Sequence, residues 1–128
     1  MDDATALIVM QRFGQAYFAR DAERLAQAIT SDAQWHFAIG ADAPHGRVRT
    51  GVAGFLQGIA ENDALFEKLR FDQVVCRGLG DDRIVMTYLV NGQHRGGSGF
   101  SLRGIELITM LDGRIAMKDV FWKQHRAS

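Results

Sequence analysis

Two predicted strands meet at Asp112-Gly113 in the stretch that decides the fold, residues 98–123, SGFSLRGIELITMLDGRIAMKDVFWK. Apolar and polar residues alternate on both sides of this dipeptide, which is the period of a strand with one buried face. Asp-Gly favours a tight hairpin turn because both residues tolerate positive φ. We therefore predict antiparallel strands over residues 98–111 and 114–123.

The same period of two predicts strands over residues 71–79 and 83–91, whereas the first third of the chain has helical spacing. The first helix carries a stripe of residues at three- and four-residue steps: Leu7, Met10, Phe13, Gly14, Tyr17 and Phe18. Asp21 caps a second helix, whose buried side is Leu25, Ala28 and Ile29.

The middle of the chain predicts a strand, a loop and a third helix. Ser31-Asp32-Ala33 ends the second helix, residues 34–39 alternate as a strand, and residues 40–49 form a loop with the single proline. Thr50 caps the third helix. We expect Asn62-Asp63 to interrupt it before a shorter helical piece that contains Leu65, Phe66 and Leu69.

Helices that precede consecutive antiparallel strands indicate an α+β fold. We predict a single domain over residues 1–128, with three N-terminal helices packed on one side of a curved, mostly antiparallel sheet. Short connections between the last strands disfavour a doubly wound βαβ sheet, which needs helical crossovers.

Composition excludes several classes of function. The 15 Lys and Arg residues balance 15 Asp and Glu residues, so we expect no nucleic-acid partner. The longest apolar run, residues 84–90, is far shorter than the roughly 20 residues of a membrane span. One cysteine, Cys76, excludes an internal disulfide. We expect a soluble, cytoplasmic protein with no membrane partner.

Four segments resemble the NTF2-like superfamily, in particular its SnoaL-like and ketosteroid-isomerase-like branch. They are residues 10–25, which resemble its first two helices; residues 31–37, its first strand; residues 46–56, its glycine-bearing entry to the third helix; and residues 103–122, its final hairpin. The resemblance implies a cone-shaped (cystatin-like) fold with a central pocket, and a homodimer through the outer sheet face.

The resemblance also implies which residues line the pocket. A small apolar molecule would contact Phe13, Tyr17, Trp35, Phe37, Phe55, Met86, Tyr88, Ile108, Val120 and Trp122. A ketosteroid isomerase has a tyrosine where Phe13 stands, an aspartate where Phe37 stands, and a second acid near Glu106. That catalytic constellation is therefore not expected in this chain.

Glu106 is the first candidate catalytic residue, because apolar neighbours would desolvate an inward carboxylate and fit it for moving protons. The alternative is an outward Glu106, or one paired with Arg103 or Lys118. His36 and Asp119 are further candidates, although strand parity sets both opposite the pocket-facing residues.

The chain contains no histidine pair at metal-ligand spacing: His45, His94 and His125 fall in loop or tail contexts. We therefore expect no metal and no cofactor. Two functions stay open. One is an isomerase, cyclase or dehydratase acting on an apolar substrate. The other is a ligand-binding or assembly domain without chemistry. An epoxide hydrolase would need an Asp-Arg-Asp set, which Arg103 with Glu106 or Asp119 only imitates.

Overall fold

A computed structural model describes residues 1–124 as three helices and one six-stranded sheet. The helices are α1 (Asp3–Ala19), α2 (Ala22–Ala28) and α3 (Gly51–Leu65). The strands are β1 (Ile29–His36), β2 (Val48–Thr50), β3 (Phe66–Leu79), β4 (Arg83–His94), β5 (Gly99–Leu111) and β6 (Arg114–Trp122). This architecture confirms the predicted α+β class.

The sheet has the order β2-β1-β6-β5-β4-β3 and is mixed. Strands β3 to β6 form an antiparallel meander, and the β5–β6 hairpin turns at Asp112-Gly113, where both residues have positive φ. Strand β1 joins the meander by pairing parallel with β6. The last hairpin therefore lies in the middle of the sheet, under the helices.

Irregularities in β3 bend the sheet around α1. Its pairing with β4 shifts register between Glu67 and Arg70 and again between Asp72 and Val75. Lys68 and Gln73 lie in these two gaps and have positive φ, 55° and 53°. Such bulges bend a strand and increase its twist, so the curvature has a local cause.

Three local predictions were wrong. Residues 31–33 continue β1 rather than ending a helix, because Ile29 already pairs with Ile115 on β6. Asn62-Asp63 does not interrupt α3, and residues 66–69 belong to β3, where Phe66 pairs with His94. The predicted loop contains β2, which pairs with β1 through Val48, Arg49 and Thr50. In each case pairing with a distant strand outweighs the local pattern.

The core lies between the helices and the inner face of the sheet. The inner face carries Trp35, Ile84, Glu106, Ile108 and Val120, all of which are buried. Within residues 1–124, no helix combines the length and the apolar character needed to span a bilayer.

Two helical glycines should respond oppositely to alanine. A Cβ at Gly58 of α3 would lie 2.5 Å from Phe37 Cζ and 2.8 Å from Trp35 Cζ3, whereas a Cβ at Gly14 of α1 meets nothing within 4 Å. We expect Gly58→Ala to lower the free energy of unfolding by about 1–3 kcal/mol through overpacking. Gly14→Ala should raise it by about 0.5–1 kcal/mol because alanine favours helix.

Urea denaturation of both variants measures these two changes in the free energy of unfolding. Since the same side chain is added to a helix interior each time, Gly14→Ala is the control for a general effect of the methyl group. Equal effects of the same sign at the two positions would contradict the packing described for Gly58.

Candidate functional site

An apolar cavity of about 490 Å³ opens between α1 and the sheet. Its rim includes the exposed side chains of Leu7, Phe18 and Val74, so it is accessible from solvent. Its lining comes from α1, β3, β4, β5 and β6: Leu7, Met10, Gln11, Phe13, Gly14, Tyr17, Phe18, Phe71, Val74, Cys76, Met86, Glu106 and Lys118. Two opposite charges are therefore set into a mainly apolar wall.

Glu106 and Lys118 form an ion pair in this wall. Lys118 Nζ lies 2.9 Å from Glu106 Oε1, and the side chains are 6% and 3% exposed, respectively. The contact is an ion pair rather than an aligned hydrogen bond. In the register of β5 and β6, Glu106 is opposite Val120 and Lys118 is opposite Ile108. The two charged residues are therefore diagonal neighbours on the inner face of the sheet.

A chain of hydrogen bonds fixes the second oxygen of Glu106. The Tyr88 hydroxyl donates to Glu106 Oε2 at 2.8 Å, and Trp122 Nε1 donates to the Tyr88 oxygen at 3.1 Å. Tyr88 is opposite Gly104, and a Cβ at Gly104 would collide with the Tyr88 ring. The glycine thus leaves room for the phenol that holds the carboxylate.

Two tyrosines near the pair stay protonated. Burial, followed by the charge of Glu106, raises the pKa of Tyr88 above its usual value. Burial also raises the pKa of Tyr17 to about 12, although the Asn62 amide donates to the Tyr17 oxygen at 3.0 Å. Both phenols are therefore hydrogen-bond donors at neutral pH, and neither is a base.

A second cavity beside the Glu106–Lys118 pair is much smaller. A cavity of about 30 Å³, on the order of one water molecule, lies among Tyr17, Trp35, Phe37, Val120 and Trp122. Phe55 and Ile108 are packed in the core. Of the ten predicted ligand contacts, the larger cavity has Phe13, Tyr17 and Met86 in its lining. The ligand role of all ten stays a prediction.

The three catalytic candidates are not brought together. Glu106 faces the interior, whereas His36 and Asp119 are register neighbours on the other side of the sheet. His36 is buried, its ring centroid lies 5.3 Å from that of His45 in a T-shaped arrangement, and its Nε2 lies 3.1 Å from Gln34 Oε1. Arg103 is exposed on the opposite face of the sheet from Glu106. The structure therefore does not bring together a set like the Asp-Arg-Asp set of an epoxide hydrolase.

Sequence reasoning missed several residues of the site. Lys118 was considered as one alternative partner of Glu106, and the structure forms this pair. Asn62 was assigned to a helix break, and it is buried against Tyr17. Gln11 carries no signal in the sequence. Among the described residues, no cluster of three His, Cys, Asp or Glu side chains could hold a metal ion; His125 lies outside them.

Residues 10–117 match the model of the SnoaL-like domain family. The protein belongs to this family. No curated protein is significantly similar in sequence. Solved structures confirm the NTF2-like fold, and three of them are compared with this chain below.

An NTF2-like protein from Burkholderia xenovorans is 15% identical, with 96% of this chain and 92% of that chain covered and a TM-score of 0.76. A protein proposed to be a polyketide cyclase, from Xanthomonas campestris, is 15% identical, with 96% and 93% covered and a TM-score of 0.76. A protein with a ketosteroid-isomerase-like fold from Catenulispora acidiphila, in complex with trimethylamine, is 16% identical, with 90% and 85% covered and a TM-score of 0.72. At these identities the likeness concerns the fold of the SnoaL-like chain.

Proposed function

We propose that this SnoaL-like protein binds a small, mainly apolar molecule in the cavity between α1 and the sheet and moves a proton within it. The observation that carries the proposal is the buried Glu106–Lys118 pair in an otherwise apolar, solvent-accessible cavity. Few convergent polar groups in an apolar cavity are typical of ligand sites. The reaction would be of the isomerase, cyclase or dehydratase type, without a cofactor.

The two charges have complementary tasks in such a reaction. The Glu106 carboxylate accepts a proton from a carbon next to a carbonyl group and returns it elsewhere in the molecule. The Lys118 ammonium, 2.9 Å from that carboxylate, stabilises negative charge that develops on the carbonyl oxygen. A structural neighbour that is proposed to be a polyketide cyclase supports this class of chemistry.

Ligand binding can be measured with the single cysteine of the chain. Cys76 lines the cavity and is buried, which raises the pKa of its thiol. We expect a ligand selected by thermal shift from a set of cyclic ketones to slow the modification of Cys76 by a thiol reagent. A ligand at ten times its Kd should slow the reaction about tenfold, because only the free form reacts.

Gly14→Phe supplies the matched control. Gly14 lines the cavity and a Cβ there would meet nothing within 4 Å, so we expect an added phenyl ring to occupy the cavity. The variant should keep its fold and lose the ligand-induced thermal shift, whereas Gly14→Ala keeps the shift. Undiminished binding to Gly14→Phe would place the ligand elsewhere and contradict the proposal.

A second candidate, binding or assembly without chemistry, is favoured by the apolar side chains of Phe13 and Phe37, where ketosteroid isomerases have polar groups. In this reading the Glu106–Lys118 pair orients a ligand only. The outer sheet face exposes Val75, Leu107 and Phe121, which supports the proposal of a homodimer through this face. The dimer, the absence of a nucleic-acid partner and the cytoplasmic location stay predictions.

A further inference from the structure

Lys118 has surroundings that a purely structural lysine rarely has. Its ammonium lies over the rings of Trp35 at 4.8 Å and Phe13 at 5.6 Å, and its side chain lines the apolar cavity. Lysine is usually found at the surface, with its ammonium in water. Here the amine is both desolvated and accessible to a molecule that enters the cavity.

A chain of polar contacts begins at the Lys118 amine. Glu106 Oε1 lies 2.9 Å from the amine, and Glu106 Oε2 is held by Tyr88, which is held in turn by Trp122. An activated nucleophile typically has a base within hydrogen-bond reach and a third group that orients the base. Lys118, Glu106 and Tyr88 meet this description.

We propose that Lys118 is a nucleophile that forms an imine with an aldehyde or ketone bound in the cavity. The proposal rests on the proposed function for the binding of an apolar molecule, and it adds the carbonyl group as the feature that the site selects. It also gives the ion pair a role beyond electrostatic stabilisation.

The step balances with the groups present. Lys118 transfers one proton to Glu106, and the neutral amine attacks the carbonyl carbon, so that a C–N bond forms. Glu106 mediates proton transfer from nitrogen to oxygen, which gives a carbinolamine, and then protonates the hydroxyl group. The C–O bond breaks, one water molecule leaves, and a protonated imine stands beside the Glu106 carboxylate. No oxidant or reductant is required.

Reductive trapping tests the proposal on the wild-type protein. With hexanal and sodium cyanoborohydride at neutral pH, the imine is reduced to a stable secondary amine, and peptide mass mapping locates it. Lys68 and Lys123 are exposed and serve as internal references. We expect Lys118 to be modified at least about tenfold faster than either, because binding holds the aldehyde beside the amine.

Competition and a variant sharpen the test. Hexan-1-ol fits the same cavity and lacks a carbonyl group, so it should slow the adduct at Lys118 and leave Lys68 unaffected. Lys118→Arg keeps a cation beside Glu106 and should lose the fast adduct. Because the comparison of lysines is made within one wild-type chain, it does not depend on the folding of any variant.

The outcomes separate the two proposals. Modification of Lys118 no faster than that of Lys68 and Lys123 overturns the imine. If hexanal nevertheless protects Cys76 from a thiol reagent, the cavity still binds the molecule and the proposed function stands. If Cys76 is not protected and Lys118 is not preferentially modified, both proposals fail for carbonyl compounds.

Discussion

Lys118→Met is expected to lower the free energy of unfolding by about 3–5 kcal/mol, because it leaves the Glu106 carboxylate buried without its counter-charge. Methionine has nearly the length of lysine and also suits the contacts with Trp35 and Phe13. The loss therefore reports the missing charge rather than a cavity. Urea denaturation monitored by tryptophan fluorescence measures it.

Two controls accompany this variant. Lys123→Met, at an exposed position, should change the stability by no more than about 0.5 kcal/mol. The double variant Lys118→Met/Glu106→Gln should recover most of the loss, because no charge is left buried and the amide oxygen still accepts from Tyr88. A single variant Lys118→Met as stable as the wild type would show that the pair is not buried as described.

Glu106→Gln is expected to lower turnover of a cognate substrate by about 10²–10⁴-fold, the usual contribution of a positioned acid or base. Glutamine keeps the shape of the side chain and accepts the Tyr88 hydrogen bond, but it accepts no proton at neutral pH. Ligand protection of Cys76 should persist, which separates the loss of chemistry from the loss of binding.

Asp119→Asn is the matched control, since it makes the same change from carboxylate to amide on the same hairpin but on the other face of the sheet. Its turnover should equal that of the wild type. A loss in Asp119→Asn together with full activity in Glu106→Gln would move the chemistry to the outer face, beside His36. Full activity in both would show that neither carboxylate takes part in the chemistry and would contradict the role proposed for Glu106.

The fold could be predicted where the signals are local. Alternation along residues 98–111 set Glu106 and Ile108 on one face of a strand, and the structure buries both. The turn at Asp112-Gly113 also follows from residue type, because it requires positive φ. A strand's side-chain period does not depend on what the strand pairs with, so these features survive in the folded protein.

The start of β1 and the start of β3 could not be predicted in the same way. Ile29 and Phe66 fit a helical stripe as well as a strand, and short apolar runs do not distinguish the two. Their partners, Ile115 and His94, lie 86 and 28 residues further along the chain (115 − 29 and 94 − 66). Only the assembled sheet decides these boundaries.

Some residues of the site could be predicted from the sequence, but the position of the cavity could not. Glu106 was a candidate catalytic residue and Lys118 one of its possible partners, yet their contact depends on the register of the hairpin. The cavity depends on the bend of β3, where Lys68 and Gln73 adopt positive φ although neither is glycine. Such residues seldom adopt this conformation, so the sequence indicated no bulge.

A crystal structure of the protein with a carbonyl ligand selected by thermal shift tests the central claim most directly. We expect the ligand between α1 and β3, with Phe13 and Met86 against its apolar part. Its carbonyl oxygen should lie within hydrogen-bond distance of Lys118 Nζ, or the nitrogen of a reduced imine should lie within hydrogen-bond distance of Glu106. A saturating ligand that binds on the outer sheet face, and leaves the Glu106–Lys118 pair without contact, would contradict the account.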